Sequence, residues 1–367
     1  MGWTLSARTA ARSLAVAGLL TVFAGLVIGF AATTASAAAP SASASASAAP
    51  ALASAAPANV AKPEEPAAPS QATVGAYLYF IRSLDTPSNT FVADFYIWFL
   101  WRGERDPTKS FEFMNALGAP AKAAIFVDDA GADTPETLPD GRKYQQYHVQ
   151  GTFASPMDFS NYPLDRHVLG IEIEDTKSTI RDLEYAVDVP NTSVIDSLNI
   201  PGWVRGGLTG AASHVEYRTT FGDPREQGSV QYAHVTFGLN IERPRPSSLI
   251  NGITPVVITI LVGLGALFLR PSEFGSRLSM YAMGVMTVVF VNMDIASKVP
   301  EGAGTLLRQV TAICFVILLS LAFAGVRSQY MADKGNLEGA QRFDRWCFAA
   351  SVGVFVLACA FILGPKY

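Results

Sequence analysis

Cysteine is scarce in this chain of 367 residues, which contains only three. They are Cys314, Cys347 and Cys359, and all lie within long apolar segments of the last third of the chain. Residues 73–246 can therefore form neither an internal disulfide nor a metal site built on thiolates. We expect no metal ion, no cofactor and no nucleic-acid partner.

Motifs of enzymatic chemistry are missing as well. The chain has no His-Glu-x-x-His, no glycine-rich phosphate loop after a strand and no Gly-x-Ser-x-Gly elbow. We therefore do not expect an enzyme.

Charged residues are few, at 16% of the chain, whereas 50% of the residues are hydrophobic. The hydrophobic residues are concentrated in four segments near the end, at about 250–269, 278–296, 307–326 and 343–363. Each is close to the roughly 20 residues with which a helix crosses a 30 Å hydrocarbon core. The sequence predicts an integral membrane protein in which residues 247–367 form a bundle of four transmembrane helices.

The first 72 residues have the composition of a secretion signal followed by a tether. An apolar run over residues 13–31 follows Arg8 and Arg12 and precedes the small-x-small tripeptide Ala35-Ser36-Ala37. We predict that residues 1–37 are a cleaved signal peptide, with an uncleaved anchor helix as the alternative. Residues 38–72 are mostly Ala, Ser, Pro and Glu, which predicts a disordered tether.

Basic residues in the short loops predict the orientation in the membrane, because Lys and Arg concentrate on the cytoplasmic side. The loops after the first and third segments carry them, at Arg270, Arg277, Arg327, Lys334, Arg342 and Arg345. The other side has Lys298 and Lys366, with Arg308 at the membrane edge. We expect a multi-pass plasma-membrane protein with its large domain and its C-terminus outside the cytoplasm.

Residues 73–246 have the periodicity of strands. Aromatic and β-branched runs recur, separated by turn-forming clusters such as Pro139-Asp140-Gly141. The runs cover residues 90–101, 144–153, 167–174, 182–189, 214–220 and 230–241. Short strands without intervening helices indicate an antiparallel sandwich. The predicted fold is an all-β extracellular sandwich followed by an all-α four-helix transmembrane bundle.

Residues 154–169, which read ASPMDFSNYPLDRHVL, resemble the signature loop of the pentameric ligand-gated ion channels, the Cys-loop receptor superfamily. The residues that match the family pattern are Asp158, Tyr162, Pro163 and Asp165. Leu164 replaces the usual second aromatic residue, and the flanking cysteines are absent, as in bacterial members. The resemblance extends over residues 74–363, because the sandwich, a pre-membrane arginine and four helices occur in family order.

This resemblance implies how the two domains communicate. Asp165 is expected to form a salt bridge with Arg243, at the end of the sandwich, and Pro300 lies in the loop before the third helix. The alternative is that Asp165 only caps a turn. The resemblance also implies a homopentamer, in which each subunit presents one side of its sandwich to the other side of its neighbour.

The second apolar segment is expected to line a pore. At helical spacing one face is polar at both ends and apolar in the middle, as in channels that close by dewetting. This face carries Ser279, Met283, Met286, Phe290, Met293, Asp294 and Ser297. The alternative is that the methionines only pack helices together. Glu273 and Asp294 favour cations, although Glu273 lies four residues before the first basic position, Arg277.

Ligands of this family bind between subunits, beneath the hairpin that joins the last two strands. The candidate residues are Tyr217, Phe221, Arg225 and Tyr232 on one subunit, and Phe95 and Trp98 on the neighbour. Four histidines, His148, His167, His214 and His234, leave gating by protons open beside gating by a small molecule. The sequence thus predicts a homopentameric ligand- or proton-gated ion channel, conducting cations. The alternative is a membrane-anchored β-sandwich that binds or senses without conducting.

Overall fold

The computed structural model describes residues 69–118, 125–126, 134–222, 224 and 228–363. Within them a sandwich of two β-sheets precedes four apolar helices, which confirms the predicted fold class. The predicted signal peptide and all but the end of the predicted tether lie outside the described residues.

Twelve strands form the described part of the sandwich. They are β1 (Ser70–Asp85), β2 (Thr90–Trp101), β3 (Phe111–Phe113), β4 (Ala116–Leu117), β5 (Ile125–Phe126), β6 (Glu136–Thr137), β7 (Lys143–Ala154), β8 (Arg166–Asp175), β9 (Leu183–Val187), β10 (Ser193–Val194), β11 (Val204–Tyr217) and β12 (Val230–Glu242). The predicted strand over residues 90–101 coincides with β2. The strand β1 was not predicted, and it begins inside the range assigned to the tether, because its first residues are small and polar like those before them.

The strands pair into two sheets. The larger sheet has the order β10-β1-β2-β7-β4, with β9 also pairing with β1 and with β5 and β6 pairing with β7. The smaller sheet has the order β11-β12-β8-β3. In β2 the odd-numbered residues from Phe91 to Trp101 are buried between the sheets, so the even-numbered ones point to the outer face of the larger sheet.

Four long helices follow the sandwich. They are α1 (Arg245–Gly265, continued by a 3-10 turn over Ala266–Phe268), α2 (Phe274–Ala296), α3 (Leu306–Asp333) and α4 (Leu337–Leu363). Each is long and apolar enough to cross a membrane. Helices α3 and α4 extend about two turns beyond the predicted apolar segments, because their polar ends remain helical on the side of the shared loop.

The first three helices pack closely where glycines face a leucine. A Cβ atom built on Gly263 of α1 would lie 2.6 Å from Leu318 of α3, and one on Gly284 of α2 would lie 3.2 Å from the same side chain. Leu318 therefore fills a space that only glycine leaves open. Helix α4 packs mainly on α3, at the outside of the bundle.

Candidate functional site

The loop between β7 and β8 joins the sandwich to the helices. Phe159 and Tyr162 of this loop are buried in the core of the helical bundle and not in that of the sandwich. The N–H groups of Leu306 and Leu307, at the start of α3, donate to the carbonyl oxygens of Ser160 and Tyr162 over 2.9 and 3.3 Å. The tip of the loop is therefore attached to the helical domain through two buried aromatic rings and two main-chain hydrogen bonds.

Asp165, at the end of this loop, is held by two side chains. Its Oδ1 accepts a hydrogen bond from Arg243 Nε over 2.8 Å, so the ion pair expected from the resemblance is present. Its Oδ2 lies 2.6 Å from Nε2 of His167. The carboxylate is fully buried and the His167 ring is 1% exposed, so the pair is shielded from water.

Two aromatic rings cover the Arg243 guanidinium. Its central carbon lies 4.3 Å from the centre of the Trp203 ring and 4.9 Å from that of Tyr162. Cations are attracted to the faces of aromatic rings, and more strongly where water is excluded. The sequence does not identify Trp203 as a partner of Arg243, because the two residues are 40 positions apart and no local pattern connects them.

The other residues of the predicted coupling group have different places. Asp158 is exposed and accepts hydrogen bonds from Ser160 N and Oγ, so it shapes the loop and does not contact Arg243. Pro163, joined to Tyr162 by a cis peptide bond, packs against Gly252 of α1. Pro300 is half-buried in the α2–α3 loop, where Thr86 Oγ1 of the β1–β2 turn donates to the Lys298 carbonyl over 2.7 Å.

Helix α2 presents one face that no other helix covers in the described part of the chain. The predicted pore-lining methionines and Phe290 are 56–71% exposed, and Ser279, Asp294 and Ser297 are exposed as well. The opposite face is buried inside the helical bundle, and its buried residues are Arg277, Tyr281, Gly284, Val288 and Ile295. Glu273 is exposed at the N-cap of α2, and Asp294 is paired with Lys298 over 2.7 Å.

Arg277 is completely buried and points away from the exposed face of α2. Its Nη2 donates to Asp344 of α4 over 2.8 Å and to the carbonyl oxygens of Leu267 and Leu269. The sequence places Arg277 beside the inner loop, and no local pattern marks Asp344 as its partner. The positive charge of Arg277 is therefore neutralised by Asp344 inside the bundle.

The Arg277–Asp344 pair gives a stability prediction. Removing one partner of a buried ion pair leaves an uncompensated charge and costs about 3–5 kcal/mol. We expect Asp344→Ala to lower the thermal unfolding midpoint of the purified protein strongly, or to abolish its assembly. Thermal melting measures the first effect and size-exclusion chromatography the second. The double replacement Arg277→Met with Asp344→Leu should recover most of the loss, because apolar residues can replace a buried pair.

The matched control is Arg342→Ala, which removes an exposed partner of Glu338 at 3.7 Å on the same helix. Exposed pairs contribute about 0–1 kcal/mol, so this variant should behave like the wild type. Equal effects of Arg342→Ala and Asp344→Ala would contradict the assigned burial of the pair.

An aromatic cluster occupies the base of the hairpin between β11 and β12. The rings of Tyr217, Phe221 and Tyr232 lie 5.4–6.4 Å apart. The Tyr217 hydroxyl donates to Glu174, which also lies 2.8 Å from His234. Burial, the bond to Glu174 and the nearby carboxylates raise the pKa of Tyr217 to about 12, so its hydroxyl stays protonated. The remaining candidate of this group, Arg225, lies outside the described residues.

An aromatic cavity of about 480 Å³ opens on the outer face of the larger sheet. Its lining residues come from β1, β2, β7 and the β9–β10 connection, and are Tyr77, Tyr96, Trp98, Leu100, Tyr144, Gln146, Asp188 and Asn191. Trp98 Nε1 donates to Asp188 over 3.0 Å. A Cβ on Gly75 would clash with the indole ring at 2.3 Å, so this glycine allows Trp98 to lie across β1.

Phe95 does not belong to this cavity, contrary to the sequence expectation. It is fully buried between the sheets, whereas Tyr96 and Trp98 point outwards. Successive side chains of a strand point to opposite faces, so Phe95 and Trp98 could not both line one surface. The same alternation places Tyr96, and not Phe95, on the face that carries Trp98.

All four histidines lie near carboxylates. His148 is 2.5 Å from Asp94 and stacks on Tyr96 of the cavity, and the exposed His214 is 4.0 Å from Glu184. Burial alone raises the pKa of Asp94, but hydrogen bonds from Arg82 and His148 bring it below its usual value. In the described part of the chain no three His, Cys, Asp or Glu side chains are grouped as metal ligands.

Comparison with known proteins finds a distant similarity. The chain is 21% identical over 186 residues to the gamma-aminobutyric acid receptor subunit theta of Mus musculus. The match covers 50% of this chain and 27% of the mouse protein, so the chain spans about a quarter of that relative's length. No family model matches the chain. The similarity agrees with the resemblance of residues 154–169 to the Cys-loop receptor superfamily.

Proposed function

We propose that this chain is a subunit of a homopentameric, ligand- or proton-gated channel that conducts cations across the plasma membrane. The large domain and the C-terminus lie outside the cytoplasm. The similarity to a receptor subunit for gamma-aminobutyric acid supports a ligand-gated channel, and the fold supports the same architecture.

The observation that carries the proposal is the junction between the domains. Phe159 and Tyr162 of the β7–β8 loop are buried among the helices, and Asp165 of the same loop pairs with Arg243 two residues before α1. A sandwich that is merely anchored to the membrane needs no such embedded contact. A channel gated by its external domain needs this contact, because a conformational change in the sandwich has to reach the helices.

The surfaces of the chain favour several copies around an axis. The exposed face of α2 cannot enclose a pore by itself, so each copy would contribute one such helix. The aromatic cluster at Tyr217 and the aromatic cavity at Trp98 lie on different sheets, and no residue of the cluster lines the cavity. A neighbouring copy could bring cluster and cavity together, as a head-to-tail ring would. Five copies follow from the family resemblance.

Cation conduction is favoured by the charges at the inner end of α2. Arg277 is buried and neutralised by Asp344, so it contributes no positive charge to the lumen, whereas Glu273 is exposed at the inner end. We expect reversal potentials to follow the cation gradient, and Glu273→Lys to shift them towards the chloride potential. The matched control is Glu301→Lys in the exposed outer loop. Wild-type reversal potentials that follow chloride would contradict this selectivity.

Recordings from purified full-length protein in planar bilayers test the function. Unitary currents are expected on lowering the external pH or on adding small amines and amino acids. Mass photometry in mild detergent should give five copies per particle. A monomer or dimer that never conducts would favour the anchored binding protein instead.

A further inference from the structure

Four buried polar side chains from three helices lie at the end of the bundle that carries the α1–α2 and α3–α4 loops. Arg277 and Tyr281 belong to α2, Ser328 to α3 and Asp344 to α4. Arg277 and Ser328 are fully buried, Tyr281 is 1% exposed and Asp344 is 4% exposed. These four residues are called the inner polar cluster below.

Helix spacing and packing bring the members of the inner polar cluster together. Arg277 donates to Asp344 over 2.8 Å, and Tyr281 lies one turn after Arg277 on the same face of α2. A Cβ atom built on Gly325 of α3 would lie 3.5 Å from the Tyr281 ring. Ser328 is buried one turn after Gly325, on the face of α3 that packs against α2 and closer to the α3–α4 loop.

The protein itself fills only part of the hydrogen-bonding capacity of this cluster. Nη2 of Arg277 donates to Asp344 and to two carbonyl oxygens at the end of α1. The atoms that have no partner among the described residues are Nε and Nη1 of Arg277, Oδ1 of Asp344, the Tyr281 hydroxyl and the Ser328 hydroxyl. Nearly all buried polar groups of native proteins are hydrogen-bonded, either to protein or to ordered water.

The chemistry of these atoms indicates what can bind them. The N–H groups of arginine only donate, a carboxylate oxygen only accepts, and the two hydroxyls do both. A halide would accept from Arg277 but would be repelled by Asp344, and an ammonium ion would have the opposite difficulty. Water donates and accepts without a charge, which suits a cluster whose two charges already cancel.

We propose that the inner polar cluster binds ordered water, which bridges α2, α3 and α4 and completes the hydrogen bonds of the Arg277–Asp344 pair. Helix α4 packs mainly on α3, so the ion pair and this water hold it to α2. Arg277 lies in the first turn of α2, beside the α1–α2 loop, which gives water a short route from the aqueous phase. The site does not depend on whether the protein conducts.

The direction of the effect of removing a hydroxyl tests for this water in the full-length protein. If water binds the Tyr281 hydroxyl, Tyr281→Phe removes a hydrogen bond and should raise the unfolding equilibrium constant in detergent about fivefold. Ser328→Ala should act in the same direction. In a dry cluster each replacement would instead remove an unsatisfied polar group and lower the constant. Constants at or below the wild-type value in both variants would overturn the proposal.

Matched controls for both replacements lie on α3. Ser320 Oγ donates to the Val316 carbonyl of its own helix over 2.8 Å, and Tyr330 is 52% exposed. Ser320→Ala and Tyr330→Phe should therefore change the unfolding constant by less than about twofold.

A density map of the purified full-length protein, at a resolution that shows ordered water, locates the ligand. We expect a peak within hydrogen-bonding distance of the Arg277 guanidinium and of a hydroxyl of the cluster, and a map without such a peak would contradict the proposal. Replacing chloride by gluconate tests for an anion. The effect of Tyr281→Phe should stay the same, and its loss in gluconate would identify a bound anion and reject water.

Discussion

Replacing Met286 by serine is expected to make the closed channel conduct. Met286 lies in the middle of the exposed face of α2, between Met283 and Phe290. In a ring of five copies its apolar side chains would expel water from the lumen, and a hydroxyl would hold water there. We take the low end for one hydrogen bond, about 0.5 kcal/mol, as the amount by which each of five hydroxyls stabilises the hydrated lumen. The equilibrium between the closed and open states then shifts by about 2.5 kcal/mol, or roughly 70-fold.

The measurement is the resting current of Met286→Ser in bilayers, compared with that of the wild type. Met280→Ser is the matched control, because Met280 belongs to the same helix but packs partly against the helical core. Met280→Ser should lower the free energy of unfolding by about 0.5–3 kcal/mol, and its resting current should equal that of the wild type. Val291→Ser, at a second packed position, should behave in the same way. A Met286→Ser pentamer with an unchanged resting current and activation would show that the assigned pore-lining face is wrong.

Removing the charge of Asp165 is expected to uncouple the two domains or to prevent assembly. Asp165→Asn leaves Arg243 without its counter-ion in a site closed by Trp203, Tyr162 and His167. Breaking a buried pair in this way costs about 3–5 kcal/mol. Arg243→Lys should have a smaller effect, because it keeps the charge but not the planar stacking on two rings.

The neighbouring residue supplies the control. Arg166 pairs with Glu242 over 3.0 Å, but both side chains are largely exposed. Because exposed pairs contribute about 0–1 kcal/mol, Arg166→Ala should assemble and respond like the wild type. Thermal midpoints and dose-response curves of the variants measure the difference. Wild-type gating in both Asp165→Asn and Arg243→Ala would refute the coupling role.

The sequence pattern alone predicts those strands and helices that are determined by neighbouring residues. The bounds of β2 follow from an uninterrupted aromatic and β-branched run between two turn-forming clusters. The four helices follow from apolar segments of membrane-spanning length. In contrast, β1 could not be predicted at its start, because the polar residues Ser70 and Gln71 are ordered only by pairing with β9.

The sequence by itself determined the order of sandwich and helices, and it predicts the face of α2 that the other described helices leave uncovered and, through the loop resemblance, the pairing of Asp165 with Arg243. Only the tertiary structure decided which side chains complete these features. Arg277 is neutralised by a residue 67 positions away, Trp203 covers Arg243 from a different strand connection, and Phe95 points into the core. Helix and strand patterns act over a few residues, whereas these contacts depend on how distant segments pack, which no local periodicity records.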